Sequence, residues 1–253
     1  MFELEGRVAI VSGAGSPRGI GRSIALALAS QGAKTLVCDL NGRGAEEVAE
    51  EITRTGGTAL AVRTDVTDES SVRRTAAAAV EAWGRLDILV NNAGITQPIT
   101  VAEMTTADWN RIFAVNALGC FLFSTAAIPH MARNDFGRIV NMSSVSAKRG
   151  GGVFGGAHYS GAKAAVLGFG KALAREVAAD GITVNAVTPG LVLTDIRGGV
   201  ESEAIQREMT KDIPLTRMAS AEEIGALVCF LASVEAGYIT GEEVDINGGS
   251  HMD

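Results

Sequence analysis

The sequence predicts an α/β fold, a doubly wound parallel sheet of about seven strands with helices on both faces. Three observations predict it. Short β-branched runs alternate with longer alanine-rich segments from one end of the chain to the other. The short runs carry few charges and several Val, Ile or Leu, the composition of strands covered on both faces. The longer segments have helical apolar spacing, and several end in glycine, a common C-terminal stop. Strand, helix and strand repeated in this way leave right-handed crossovers between parallel strands as the economical solution.

The first strand is RVAIVS from Arg7, and the glycine-rich SGAGSPRGIG leads from it into the helix IGRSIALALASQG. KTLVCD from Lys34 is the second strand and ends on Asp39; RGAEEVAEEITRTGG is the helix after it. TALAVR from Thr58 is the third, followed by the helical DESSVRRTAAAAVEAWG, and LDILVN from Leu86 is the fourth. Next comes a long apolar helix that includes Phe113 to Phe123 and carries Asn116, a buried amide that demands partners. GRIVNM from Gly137, ITVNAV from Ile182 and EEVDIN from Glu242 complete the sheet, with AHYSGAKAAVLGFGKALAREVAADG as the helix between the first two of these. The least regular parts are SAKRGGGVFGGAH (Ser146 to His158) and the segment from Pro189 to Met218, and loops held by a rigid sheet carry substrate contacts. No linker, low-complexity tract or repeat interrupts the alternation, so the sequence predicts a single domain over residues 1–253.

Composition narrows the function. The 253 residues are 47% hydrophobic, enough for a large core, and carry 22 Lys plus Arg against 29 Asp plus Glu. A net charge of -7 argues against a nucleic-acid face or a basic membrane-surface helix. Cys38, Cys120 and Cys229 are odd in number and far apart, so they predict core thiols in a reducing compartment rather than disulfides or a CxxC site. His130, His158 and His251 are too widely spaced for a metal site. The acidic N-terminus and the absence of any stretch near the roughly 18 apolar residues of a membrane span predict a cytoplasmic protein.

The glycine turn contains Gly13, Gly15, Gly19 and Gly21 between a strand and a helix. Glycines there let backbone N–H groups and the helix N-terminus approach a pyrophosphate. Asp39 at the end of the second strand suits ribose hydroxyls and repels a 2′-phosphate. At about 4 Å and an effective dielectric near 20 that repulsion is on the order of 4 kcal/mol, so NAD is expected over NADP. Arg18 pulls the other way, but an exposed arginine is easily screened.

Tyr159 and Lys163 are four residues apart in HYSGAKAAV and share a helix face. A nearby ammonium favours the phenolate, so the pair is expected to lower the tyrosine pKa and make it a usable proton donor and acceptor. With SGAGSPRGIG, the NNAG at Asn91 to Gly94, the asparagine of FAVNALG, the serine of NMSSVS, YSGAK, TPGLVLT and ITGEEVDINGG, the chain resembles the short-chain dehydrogenase/reductase family over essentially its whole length. The resemblance implies a Rossmann-type fold and an active-site tetrad of Asn116, Ser144, Tyr159 and Lys163. Tyr159 would exchange a proton with the substrate oxygen and Ser144, chosen over Ser143, would hydrogen-bond it. Lys163 would also hold the nicotinamide ribose, and Asn116 a proton-relaying water. Implied cofactor contacts are Gly13, Ser16, Arg18, Gly19, Ile20, Gly21, Asp39 and Leu40, with Asp65 and Val66 at the adenine edge. Asn92, Ala93 and Gly94 would line the dinucleotide, and the backbone near Pro189, Gly190 and Val192, with the Thr194 hydroxyl, would receive the carboxamide.

Three departures stand out against the family pattern. The turn carries two extra residues within Ser16 to Arg18, Ser12 stands where threonine is usual, and the stretch from Ser144 to Tyr159 is longer by about two residues, in RGGGVFGG. The substrate class is therefore read separately: a small polar polyol, sugar or hydroxy acid, oxidised with NAD, with an NADPH-dependent 3-oxoacyl-thioester reductase as the alternative and a non-catalytic cofactor-binding regulator behind both. His158 is expected to cap a loop, and Trp83 and Trp109 to sit in the core or an interface. The apolar faces of Phe113 to Phe123 and Val166 to Leu173 pair, by resemblance, in a homodimer or homotetramer.

Overall fold

A computed structural model describes residues 2–151, 155–194 and 203–252. Seven strands form one sheet in the order β3-β2-β1-β4-β5-β6-β7, with every described neighbour pair parallel. They are β1 (Val8–Ser12), β2 (Lys34–Asp39), β3 (Ala59–Arg63), β4 (Ile88–Asn91), β5 (Gly137–Met142), β6 (Ile182–Pro189) and β7 (Glu243–Ile246). The expected strands start or end within two residues of these bounds.

Successive residues of β1 face opposite layers. Ala9 and Val11 pack with α1 (Ile20–Ser30), α2 (Gly42–Arg54) and a late helix, α9 (Ala221–Ala232). Val8 and Ile10 pack with α3 (Glu69–Trp83), α5 (Gly119–Arg133) and α7 (Ala157–Val177). The remaining described helices are α4 (Thr106–Phe113), the short α6 (Ser146–Arg149) and α8 (Glu203–Thr210). Full burial of strands on both faces holds in the middle of the sheet. It fails at the edges, where β3 and β7 are only half-buried because each has a neighbour on one side alone.

The chain runs outward from β1 to β3 and returns to β4 on the other side of β1. That reversal opens a crevice at the carboxyl ends of β1 and β4, the place where doubly wound sheets bind ligands. Beyond β4, α4 continues into α5 through a wider turn, Ala114–Leu118, in which the Gly119 N–H reaches back five residues to the Ala114 carbonyl. The continuous helix from Thr106 to Arg133 is long and apolar enough to cross a membrane by length and composition, contrary to the sequence reading. In the fold its Ile112, Leu122, Phe123, Ala127 and Met131 are buried, the last four in the core beneath the sheet.

Of the two irregular loops, residues 152–154 and 195–202 lie outside the described residues. The extra length expected in RGGGVFGG falls partly there.

Candidate active site

At the end of β1 the chain must turn sharply, and Gly13 does so with φ at +64°. A Cβ on Gly13 would lie 2.5 Å from the Ala93 Cα, so only glycine lets these two strand ends meet. The Ser12 hydroxyl accepts the N–H groups of Asn92 at 3.1 Å and Ala93 at 3.2 Å, so the hydroxyl retained in place of threonine ties β1 to β4. The Asn92 side chain donates to the Ser12 and Gly13 carbonyls at 2.9 and 2.8 Å.

The two extra residues are absorbed in a tight turn, closed by the Gly19 N–H on the Ser16 carbonyl at 3.0 Å, that delivers Gly19 to the start of α1. There α1 begins with no side-chain cap and no acid in its first turn, whereas α2, α3, α4 and α9 are capped by Asn41, Asp68, Thr105 and Ser220. Uncapped N–H groups framed by Gly13 and Gly19 fit the phosphates of a dinucleotide.

Asp39 faces the same turn. Its Oδ2 accepts the Gly15 N–H at 2.8 Å and its Oδ1 the Asn41 N–H at 2.9 Å. Next to it the start of α2 comes so close that a Cβ on Gly44 would sit 2.1 Å from the Gly15 carbonyl oxygen. Gly44→Ala is therefore expected to push the glycine turn out of place and to cost about 1–3 kcal/mol of stability. A urea melt and a dinucleotide titration check this; unchanged values for both would show that the turn yields freely.

Along one wall of the crevice, of about 480 Å³, lie Gly13, Ser16, Gly19, Ile20, Asp39, Leu40, Asp65, Val66, Asn92, Ala93, Gly94, Tyr159, Lys163, Pro189 and Thr194. Asp65 turns its carboxylate on Thr67, whose N–H and hydroxyl it accepts at 2.9 and 2.7 Å. Four expected cofactor contacts are not on this wall. Arg18 is exposed beyond the turn. Gly21 is buried, and a Cβ on it would meet the Asn92 amide at 2.4 Å, so its role is close packing. Gly190 and Val192 line an adjoining cavity of about 340 Å³ with Ser144 and Tyr159. The backbone expected to take a carboxamide is partly engaged: Pro189 accepts the Val145 N–H at 3.0 Å and Gly190 donates to Ile246 at 3.0 Å.

The two serines after β5 differ in what they bind. The Ser143 hydroxyl donates to the Lys163 carbonyl at 2.8 Å and pins α7 to the sheet. Ser144 accepts the Ser146 N–H at 3.1 Å, remains half-exposed, and hydrogen-bonds the Tyr159 phenol. Lys163 is 3% exposed; its Nζ donates to the Met142 carbonyl at 2.7 Å and lies 5.8 Å from the centre of the Tyr159 ring.

The electrostatics correct the sequence reading. Burial raises the Tyr159 pKa above its ordinary value of 10.0, and only the Ser144 hydrogen bond pulls it back. Burial also lowers that of Lys163, against a smaller upward pull from Cys120. Taking the phenol out of water is thus the larger effect, and its pKa lies above rather than below the ordinary value.

Asn116 is fully buried behind this wall, in the wide turn between α4 and α5. Its Nδ2 donates to the Ile95 and Ile112 carbonyls, both at 2.9 Å, while its Oδ1 has no hydrogen-bond partner among the described residues. That oxygen faces Gly94, where a Cβ would stand 2.8 Å away. A buried acceptor without a partner, beside a glycine that leaves space, fits a site shaped around a further polar group. Sequence reasoning missed Ile95, Thr96, Val115 and Met142, which also line the crevice. Their signal was weak: Ile95 and Thr96 follow NNAG, Val115 sits within FAVNALG and Met142 within NMSS, and they contribute walls and backbone.

The fold and this crevice are those of an α/β oxidoreductase, and Ser144, Tyr159 and Lys163 lie close together on the cavity walls. The family described as Enoyl-(Acyl carrier protein) reductase matches residues 13–251. An uncharacterized short-chain type dehydrogenase/reductase of Sinorhizobium fredii is 46% identical over 97% of this chain and 98% of its own. The 3-oxoacyl-[acyl-carrier-protein] reductase FabG of Escherichia coli is 40% identical over 99% of this chain and 100% of its own. A crystal structure of a short-chain type dehydrogenase/reductase from Mycobacterium marinum superimposes with a TM-score of 0.91 at 35% identity, covering 100% of this chain and 98% of that one. The chain belongs to the short-chain dehydrogenase/reductase family.

Proposed function

We propose that the protein is an NAD-preferring dehydrogenase that interconverts a secondary alcohol and a ketone on a small polar substrate, such as a polyol, a sugar or a hydroxy acid. The observation that carries the reaction class is the placing of Ser144 and Tyr159 together on the wall where the two cavities meet, with Lys163 buried next to them. When bound, a nicotinamide cofactor supplies or takes up the hydride. Tyr159 gives its phenolic proton to the substrate oxygen in reduction and recovers it in oxidation, and Ser144 donates a hydrogen bond to that oxygen. Lys163 holds the ribose, and Asn116 supports a water that passes protons to solvent. Asp39, fixed by two backbone N–H groups in the crevice, supports NAD over NADP.

The substrate reading is supported by four polar side chains, Ser144, Ser146, Arg149 and Thr96, on the walls of a second cavity that is otherwise mainly apolar. We assign the enzyme to the cytoplasm, in keeping with three buried free thiols, and to a homodimer or homotetramer. The assembly is supported by Trp109, Leu118 and Phe121 standing exposed along one long helix.

A second reading, an NADPH-dependent 3-oxoacyl-thioester reductase, is favoured by the name of the E. coli relative and by the apolar Leu191, Val192 and Met209 in the same cavity. The two separate in one experiment, following reduced-nicotinamide absorbance with each cofactor against polyols, sugars, hydroxy acids and 3-oxoacyl thioesters. The expected outcome is highest kcat/KM with NAD and a polar alcohol. Highest kcat/KM with NADPH and an acyl thioester replaces the first reading with the second.

A further inference from the structure

The start of α7 is built in an unusual way. Its N-cap is Gly156, with φ at +74° and no side chain to accept an N–H. The cap is supplied from inside the helix: the Nδ1 of His158 accepts the N–H of Tyr159 at 2.9 Å. The imidazole is fully buried, and among the described residues its Nε2 has no hydrogen-bond partner. A Cβ on Gly156 would stand 2.6 Å from the ring's Cε1 and 2.9 Å from the Gln97 carbonyl oxygen, so glycine is required for the ring to lie where it does.

We propose that His158 is a positioning residue: its neutral ring holds the first turn of α7, and with it Tyr159, in the crevice, and acid undoes that hold. The proposal rests on the reading of Tyr159 as the proton donor. Its chemistry follows from the tautomer. An Nδ1 that accepts a hydrogen bond leaves the ring hydrogen on Nε2. The next proton can enter only at Nδ1, the atom holding Tyr159. It would also bring a positive charge to the positive end of a 21-residue helix.

The charged groups facing the ring are Asp108, which favours protonation, and Arg111, which opposes it; both belong to α4. Burial, with Arg111 on the same side, outweighs Asp108 and lowers the pKa below the ordinary 6.5. The unfolded chain therefore binds this proton more readily than the folded one. The contribution to stability is complete above the ordinary histidine range and is lost as the pH falls from there through the lower folded value.

The test uses the full chain and needs no substrate. Amide hydrogen exchange at Tyr159, corrected for the intrinsic pH dependence of exchange, is measured from pH 8 to pH 5 in wild type, His158→Ala and His158→Asn. The asparagine keeps an acceptor oxygen and cannot titrate. Wild type is expected to lose protection on the acid side, the alanine variant to exchange at least tenfold faster at pH 8, and the asparagine variant to stay protected throughout. Equal protection in the alanine variant, or the same acid loss in the asparagine variant as in wild type, overturns the proposal; if the alanine variant does not fold, the asparagine comparison decides alone.

Activity is a separate readout. An acid fall in kcat in wild type that His158→Asn abolishes, at unchanged cofactor KM, ties the cap to turnover. An acid fall shared by both, with exchange as expected, would limit His158 to holding the helix and overturn its link to Tyr159 chemistry. A protein with no dehydrogenase activity, but with the expected exchange, would fail the functional reading alone.

Discussion

Tyr159→Phe is expected to lower kcat by roughly 10²–10⁴-fold in both directions, the range over which a positioned proton donor accelerates a reaction. The substitution removes one oxygen and leaves the ring that forms the crevice wall, so dinucleotide binding should change by no more than about twofold. Lys163 keeps its bond to the Met142 carbonyl, and Ser143 still pins α7 through the Lys163 carbonyl. The measurement is paired: steady-state rates on the best alcohol from the screen, and fluorescence titration with the dinucleotide. Full activity in the variant would move the proton transfer to another group. The pH dependence has a definite sign. Because burial raises the Tyr159 pKa, the resting site holds a phenol at neutral pH. A phenol is the form that protonates a ketone, so reduction should fall as the pH rises through this pKa. Oxidation needs the phenolate as base and should rise through the same range.

Asp39→Asn is expected to shift the ratio of kcat/KM for NADP over NAD by about 10²-fold towards NADP. A unit charge at about 4 Å is on the order of 4 kcal/mol at an effective dielectric of 20, and the half-exposed position of Asp39 discounts part of that. The shape of the residue is kept, so what changes is the charge and one acceptor. Of the two N–H groups that the carboxylate now holds, from Gly15 and Asn41, the amide oxygen can take one in the same place. A melting curve separates loss of loop order from loss of discrimination. If the ratio stays put while the melt is unchanged, Asp39 is a loop tie and the cofactor is chosen elsewhere.

Much of the fold could be read in advance because local signals agreed with one another. Gly84 closes α3 in a left-handed C-cap, as the glycine that ends DESSVRRTAAAAVEAWG indicated, and Asp68 caps its start. Spacing placed Tyr159 and Lys163 on one face of α7, while Ser144 beside the phenol was legible only through the family resemblance. The failures have physical causes. Residue spacing carries no information about desolvation, so the direction of the Tyr159 shift was misread. A wide turn within a long apolar helix leaves no pattern in periodicity, so the setting of Asn116 was not foreseen. Nor does the sequence say that α7 would lack an ordinary N-cap. The glycine count hid a division of labour in which Gly13 turns the chain, Gly19 opens a helix and Gly21 only lets Asn92 approach.

The wide turn at Ala114–Leu118 sets a limit on how this chain can change in length. One residue more than regular winding needs is stored there, and each residue of an α-helix advances the side chains by about 100°. Deleting any one of the five would let the coil run straight and regain ordinary backbone bonding. The wide turn takes up the extra residue, so Phe123, Ala127 and Met131 would keep their places in the core, while Asn116 would lose the widened turn that sets its amide on two carbonyls. A single-residue loss there is thus expected to spare the packing downstream and to fall on the placing of Asn116.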